Sequence, residues 1–275
     1  KHKVVQISAG NSFGAALTDT SEVYGWGSNS SKQLGTSTGS TSMIKTPIKL
    51  DFPEKKWKLV ACGSSHLLVA TEKEIYGLGS NIHGQIGIGN TSSNIESPTA
   101  MVWKSEYGSV RSLTAGTYCT GVLNNEGKVF TCGGLSFQMG RGRSNNDYLL
   151  EVIPNIPKMQ TFKFRKYYAY AIDENAKLWA WGQGYLGTNP TNYGSTETVK
   201  VPTLVSKLSG EEVVDVDMYN HSAVVCKSGE IYMWGSGSGV VGAAKNKYVP
   251  TKTGVKAAQG IKSFFSVSCG GSYNF

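Results

Sequence analysis

The chain repeats itself from end to end. Tyr24-Gly25-Trp26-Gly27 returns as Tyr76-Gly77-Leu78-Gly79, Phe130-Thr131-Cys132-Gly133, Trp179-Ala180-Trp181-Gly182 and Tyr232-Met233-Trp234-Gly235, with the closing glycines 52, 54, 49 and 53 residues apart. A repeat of this length constrains a fold more than composition does. Each copy must be one supersecondary unit whose apolar surface is buried by its neighbours. Further markers keep the same phase. Ser8-Ala9-Gly10 matches Ala61-Cys62-Gly63, Thr114-Ala115-Gly116 and Ser268-Cys269-Gly270. Downstream come Gln33-Leu34-Gly35, Gln85-Ile86-Gly87, Gln138-Met139-Gly140, Tyr185-Leu186-Gly187 and Val240-Val241-Gly242, and then Pro47, Pro98, Pro154, Pro202 and Pro250.

Within a unit the pattern is that of strands. Ala223-Val224-Val225, then Lys227-Ser228-Gly229-Glu230, then Ile231-Tyr232-Met233-Trp234 reads as two short apolar runs around a turn in which glycine supplies positive φ, the signature of a hairpin. No segment sustains a helical period. About four strands fit each unit, and a lone four-stranded sheet leaves both faces open. Stacking such sheets radially buries them, which is the propeller solution. The expectation is therefore an all-β chain of about five four-stranded blades in a single domain over 1–275. The units run approximately 4–57, 58–109, 110–160, 161–212 and 213–261, with a partial sixth at 262–275.

Composition narrows the classes further. Charged residues make up 17% of the chain, below the ~25% of ordinary domains, which excludes a charged helical rod and charge-driven disorder. No apolar run approaches the ~20 residues of a membrane-spanning helix. The chain opens on Lys1-His2-Lys3 with no initiator Met and no signal-peptide apolar core, so a segment of a longer protein is expected. The net charge of +8 favours acidic partners, including nucleic acid or chromatin, although the basic residues are spread along the chain.

The five cysteines include no Cys-x-x-Cys pair and fall in slots that other units fill with small or packed residues: Cys62 and Cys269 with Ala9, Cys132 with Trp26, Cys119 with His66, Cys226 with Thr18. Buried thiols of this kind suit a reducing compartment, cytoplasmic or nuclear. His66 and His221 share one slot with Phe13, Cys119 and Tyr168, an interchange that denotes packing. Two Gly-x-Gly-x-x-Gly matches, Gly182–Gly187 and Gly237–Gly242, sit in the same repeat slot with no helix following, so neither reads as a dinucleotide site. No nucleophile–base–acid set, paired catalytic carboxylates or metal-ligand spacing occurs, and no cofactor or metal is expected.

Unit four departs from the pattern with Phe162-Lys163-Phe164-Arg165-Lys166-Tyr167-Tyr168-Ala169-Tyr170. Aromatics interleaved with cations can stack on bases and contact phosphates. Alternation allows another account, because Phe162, Phe164, Tyr168, Tyr170 and Ile172 share one parity and would form a buried face. Arg165, Lys166 and Tyr167 are then the exposed candidates for partner contact.

The unit as a whole reads small-Gly-x-x-His, a turn, Tyr-x-Trp-Gly, then Asn-x-x-Gly-Gln-Leu-Gly and Pro. This resembles the RCC1 (regulator of chromosome condensation) repeat. Unit two is nearest, with Cys62-Gly63-Ser64-Ser65-His66 and Gly79-Ser80-Asn81-Ile82-His83-Gly84-Gln85-Ile86-Gly87. The resemblance covers essentially the whole chain and implies an RCC1-like β-propeller, although the family's ring holds more blades than the five full units found here. Such propellers serve as exchange factors, as ubiquitin-ligase modules and as interaction platforms. In the family's exchange factor a wedge loop in the third repeat displaces nucleotide and Mg²⁺ from a small GTPase. The resemblance therefore implies a guanine-nucleotide exchange or GTPase-binding role for the loop from Gly134 to Pro157. Its candidate contacts are Arg141, Arg143, Asn145, Asn146 and Asp147, acting without covalent chemistry. An ordinary blade loop is the alternative for the same segment. Two other functional readings stand beside exchange: a non-catalytic protein-interaction platform within a larger protein, and binding of chromatin or nucleic acid.

Overall fold

The computed structural model describes residues 2–36, 39, 43–134, 136–143, 147–165, 167–189, 196–236, 247–255, 266–267 and 269. Among them lie five antiparallel four-stranded sheets, each strand paired with its sequence neighbour. The first holds β1 (Val4–Ala9), β2 (Phe13–Thr18), β3 (Val23–Ser28) and β4 (Met43–Lys49). The second holds β5 (Leu59–Cys62), β6 (His66–Ala70), β7 (Ile75–Asn81) and β8 (Ser92–Ala100). The third holds β9 (Val110–Ala115), β10 (Cys119–Asn124), β11 (Val129–Gly133) and β12 (Asp147–Val152). The fourth holds β13 (Met159–Phe164), β14 (Tyr168–Asp173), β15 (Leu178–Gly184) and β16 (Glu197–Leu204). The fifth holds β17 (Val213–Met218), β18 (His221–Cys226), β19 (Ile231–Gly235) and β20 (Lys247–Lys252). The described helix is confined to three short 3-10 turns. Two compact units result, Lys1–Met139 with Ser144–Pro154, and Gly140–Arg143 with Asn155–Phe275.

The recurring closing glycine has one structural job. Gly27, Gly79, Gly133, Gly182 and Gly235 pair with Phe13, His66, Cys119, Tyr168 and His221, at the register shift between the third and fourth strands of each sheet. All five have positive φ, from 76° at Gly133 to 129° at Gly235. A Cβ at Gly235 would lie 2.3 Å from the His221 Cα, so only glycine fits the bulge.

In the first two sheets the segment that follows the bulge, Asn29–Gly35 and Asn81–Gly87, braces itself. Asn29 Oδ1 accepts from Leu34 N and its Nδ2 donates to Gly35 O, both at 2.9 Å. Asn81 Oδ1 accepts from Ile86 N at 3.0 Å in the same way. The turn thereby seats Leu34 and Ile86 in the core.

The cores lie between sheets. In the first unit, Phe13, Leu17, Val23, Leu34 and Leu50 of the first repeat meet Trp57, Val60, Leu67, Val69 and Leu78 of the second. Leu68, Ile75, Ile86 and Met101 then meet Val110, Val122, Phe130 and Leu150 of the third. In the second unit, Tyr170, Ile172, Leu178 and Leu186 meet Val216, Met218, Val224 and Trp234. Within each unit, successive sheets bury their facing surfaces against one another, as the repeat requires.

Hydrogen bonds join the innermost strands. Val60 N and Cys62 N donate to Gln6 Oε1 and Ser8 Oγ at 3.0 and 2.9 Å. The partial sixth copy repeats this relation on β17, where Val267 N and Cys269 N donate to Asp215 and Asp217 carboxylates at 3.1 and 2.7 Å.

Two expectations change. The segment from Gly134 to Pro157 is not one long loop, because a 3-10 turn (Ser136–Met139) and then β12 divide it. In β12 Asp147 and Leu150 are buried and the residues between and after them are exposed, a spacing of three that goes with the register shift between Thr131 and Gly133 and departs from regular alternation. The parity argument for unit four holds in β13 alone. Phe162 and Phe164 are buried there, but in β14 both faces are buried, Ala169 and Ala171 as fully as Tyr168 and Tyr170.

Candidate partner-binding surface

Antiparallel order places the turn between first and second strands, and the loop between third and fourth, at one end of every sheet. Apart from Asp147, the candidate residues of the sequence analysis lie between strands in one of these two connection types. The two units are taken in turn.

In the first unit, Thr131 Oγ1 donates to Met139 O at 2.9 Å and ties the 3-10 turn down over a buried Met139. Asn145 and Asn146 lie outside the described residues. Asp147 is not at a loop tip: it opens β12 opposite Gly133 and is buried, 7% exposed. Beside it sits an apolar and aromatic patch that sequence reasoning missed. Tyr148 and Leu149 are exposed, and the Tyr148 ring covers Gly84, where a Cβ would lie 2.5 Å from it. Gly89 N donates to Tyr148 O at 3.0 Å. His83 stacks at a tilt on Tyr118, centroids 4.5 Å apart, and the neighbouring Ile82 is 53% exposed. The patch joins the second sheet's loop, the third sheet's turn and β12, so no single stretch of sequence displays it.

In the second unit, Gly142 N donates to Lys200 O at 3.0 Å, which sets Arg141 and Arg143 beside β16. Arg143 is exposed and Arg141 half-buried. Arg165 is exposed, and its guanidinium lies over the Tyr219 ring, 4.9 Å from the centroid. Lys166 lies outside the described residues. Tyr167, expected to be exposed, is half-buried against the core between the fourth and fifth sheets. Its aromatic body is more stable packed than solvated. The Tyr168 hydroxyl donates to Tyr219 O at 2.6 Å. Lys163 Nζ donates to Asp215 Oδ1 at 2.9 Å and to Val216 O at 2.7 Å.

Chemistry other than binding finds little support in the titratable groups. Burial pushes the Cys62, Cys119, Cys226 and Cys269 thiols up to about 12, so none is a ready nucleophile. Burial also depresses His66 to about 4. Thr120 Oγ1 gives its proton to Gln85 O at 2.6 Å, so the neutral His66 ring donates to Thr120 from Nε2 at 3.2 Å. Among the described residues no three His, Cys, Asp or Glu side chains gather as metal ligands, and no helix is long and apolar enough to cross a membrane.

Repeat-coded four-stranded blades, each closed by a bulge glycine and cored against its neighbour, define the class: a β-propeller of sequence repeats. The profile of the regulator of chromosome condensation (RCC1) repeat matches residues 21–70, and a second RCC1-repeat profile matches residues 4–33. Residues 4–70 thus carry RCC1-type repeat sequence, and the later sheets keep the same strand order and bulge glycine.

It is 36% identical over 132 residues to the human X-linked retinitis pigmentosa GTPase regulator, covering 47% of this chain and 12% of that protein. It is 26% identical over 279 residues to the human E3 ubiquitin-protein ligase HERC2, covering 99% and 6%. It is 28% identical over 299 residues to the human regulator of chromosome condensation, covering 99% and 70%. Among solved structures, Prp20p of Saccharomyces cerevisiae, studied for its binding to Gsp1p and histones, superposes with a TM-score of 0.82 at 21% identity, covering 99% of this chain and 68% of that one. At that identity the likeness shows the fold.

Proposed function

We propose that this chain is a small-GTPase-interacting propeller segment that engages its partner through the end of the sheets bearing the turns and the third-to-fourth-strand loops. The observation that carries the reading is the 36% identity to a protein named as a GTPase regulator. The patch of Ile82, His83, Tyr118, Tyr148 and Leu149 supports it, since exposed aromatics beside a loop are the composition of interface anchors. Exchange would work by placing loop groups against the nucleotide site of the GTPase, which lowers nucleotide affinity with no covalent step. A cytoplasmic or nuclear setting goes with this reading, and all five cysteines are buried.

The test is release of fluorescent GDP from a panel of small GTPases, run beside a binding measurement on the same panel. Accelerated release that slows in an Asn145→Ala, Asn146→Ala double variant supports exchange through the third-repeat loop. Asp147 is left alone because it is buried in β12. Binding without acceleration, lost on Tyr148→Ala, supports a GTPase-binding role alone. The reading is wrong if no GTPase binds.

A second reading, a non-catalytic interaction platform, is favoured by HERC2, a ubiquitin ligase of which the matching region is only 6%. Capture of non-GTPase proteins, with no GTPase in the panel bound, would select it.

A further inference from the structure

In sheets one to three, the turn between first and second strands begins with a glycine whose N–H donates back across the turn: Gly10 to Phe13 O, Gly63 to His66 O and Gly116 to Cys119 O. The slot is bare for a reason. A Cβ at Gly10 would lie 2.4 Å from Gly63 O, and one at Gly63 would lie 2.6 Å from Gly116 O. Ser64 N donates to Gly116 O, so neighbouring turns close on one another there.

In the second unit the same hydrogen bond is made by Arg165, which donates to Tyr168 O at 2.9 Å, and its counterpart in a turn one residue shorter is made by Tyr219, which donates to His221 O at 2.8 Å. The two slots kept bare elsewhere thus carry the two side chains that stack on each other at 4.9 Å. Tyr219 is 40% exposed, and Arg165 is exposed. Among the described residues the Arg165 guanidinium makes no hydrogen bond and no ion pair, and its planar N–H fork is oriented by the ring.

We propose that the Arg165–Tyr219 stack is a docking anchor that receives a carboxylate side chain of a protein partner. A guanidinium already held flat on an aromatic face loses less rotamer freedom on binding, and its fork matches a carboxylate with two parallel bonds. The surroundings select a single carboxylate over a polyphosphate. Asp215 and Asp217 lie on β17 beside the stack, and the nearby Lys163 is already committed to Asp215 and Val216 O. Two fixed carboxylates disfavour a chain of phosphates and tolerate one ion paired to Arg165. Both accept backbone N–H groups, from Val267 and Cys269, and among the described residues neither forms an ion pair with Arg165. The inference stands apart from the identity of the partner, GTPase or otherwise.

The chain has four arginines, Arg111, Arg141, Arg143 and Arg165. Their side-chain ¹⁵Nε–¹Hε resonances are therefore assignable by single Arg→Lys substitution in the intact protein. Titration with an acetylated glutamate amide, at constant ionic strength set with chloride, should shift the Arg165 resonance saturably. Arg111, exposed on β9, should move little and without saturation. Tyr219→Leu should weaken the Arg165 response at least threefold, with circular dichroism unchanged. A labelled Glu-rich dodecapeptide should bind at least fivefold more weakly to Arg165→Gln than to Lys56→Glu, which changes charge at an exposed lysine of the first unit. The proposal is overturned if Arg165 and Arg111 respond alike. It is equally overturned if inorganic phosphate or single-stranded DNA saturates Arg165 at lower concentration than the carboxylate, which would assign the stack to phosphate.

Discussion

Single positions in this repeat are held by steric and electrostatic demands that can be read one residue at a time. Gly79 has φ 97°, and a Cβ there would meet Ser65 O at 2.5 Å. Gly79→Ala adds a left-handed strain of about 1–3 kcal/mol to that clash, so urea denaturation should show at least ~2 kcal/mol lost. His66 makes the opposite kind of demand. Burial holds it near 4 against an ordinary 6.5, so the unfolded chain binds a proton that the folded chain refuses between those values. Its contribution to stability is complete above about pH 7, falls as pH drops through 6.5 toward 4, and is then constant. About 3 kcal/mol is at stake. Phe occupies the same slot at position 13, so His66→Phe should remove this component. The difference in unfolding free energy between wild type and variant, measured from pH 7 to 4, should narrow or reverse by that order, and a pH-independent difference would refute the assignment.

Elements are joined in two ways, by apolar cores and by polar bonds between inner strands. Trp234 belongs to the core between the fourth and fifth sheets, fully buried, with its indole N–H donating to Tyr185 O at 2.8 Å. Trp234→Ala leaves a large cavity and removes one of the two hydrogen bonds to Tyr185 O, and a loss of about 3–5 kcal/mol is expected in chemical denaturation. Gln6 belongs to the inner seam, where Oε1 accepts from Val60 N at 3.0 Å and Nε2 donates to Val60 O at 3.1 Å. Gln6→Ala breaks both bonds at a part-buried site and should cost about 1–2 kcal/mol, with faster amide exchange at Val60 as its local signature. The third sheet shows how elements can hide in a loop-like sequence. Asp147–Val152 buries only Leu150 of its apolar side chains and lacks regular alternation, so its sequence resembles a loop, yet it supplies the fourth strand because the bulge at Gly133 leaves an edge that must be paired.

At the scale of the molecule, sheet stacking removes the thiols from solvent. All five cysteines are buried, and the thiols of Cys62 and Cys119 are pushed up to about 12. A thiol-specific reagent at pH 8 should react with Cys62 and Cys119 slowly in the native protein and at once in denaturant. Rapid native labelling at either position would contradict the packing between sheets. Far-ultraviolet circular dichroism should give a β spectrum, since helix is limited to three 3-10 turns among the described residues.

The repeat was legible without coordinates because its markers answer to local constraints. A bulge glycine, a self-bracing Asn turn and an apolar hairpin each impose their residue types wherever they occur, so five copies announce five sheets. The shared slot of Phe13, His66, Cys119, Tyr168 and His221 was likewise visible, since a fully packed position tolerates any side chain that fills it. Binding surface is another matter. Arg165 could be singled out by its neighbours in sequence, but Tyr219 lies 54 residues away, and their stack exists only because two sheets present the same turn side by side. Ile82, Tyr118 and Tyr148 come from three different elements in the same way. Tyr167 looked like an exposed aromatic and is half-buried, because the core beneath it, not its own strand, had room for a ring. Local sterics are written residue by residue, whereas a surface depends on which distant side chains the stacking of sheets brings together, and that only the tertiary structure decides.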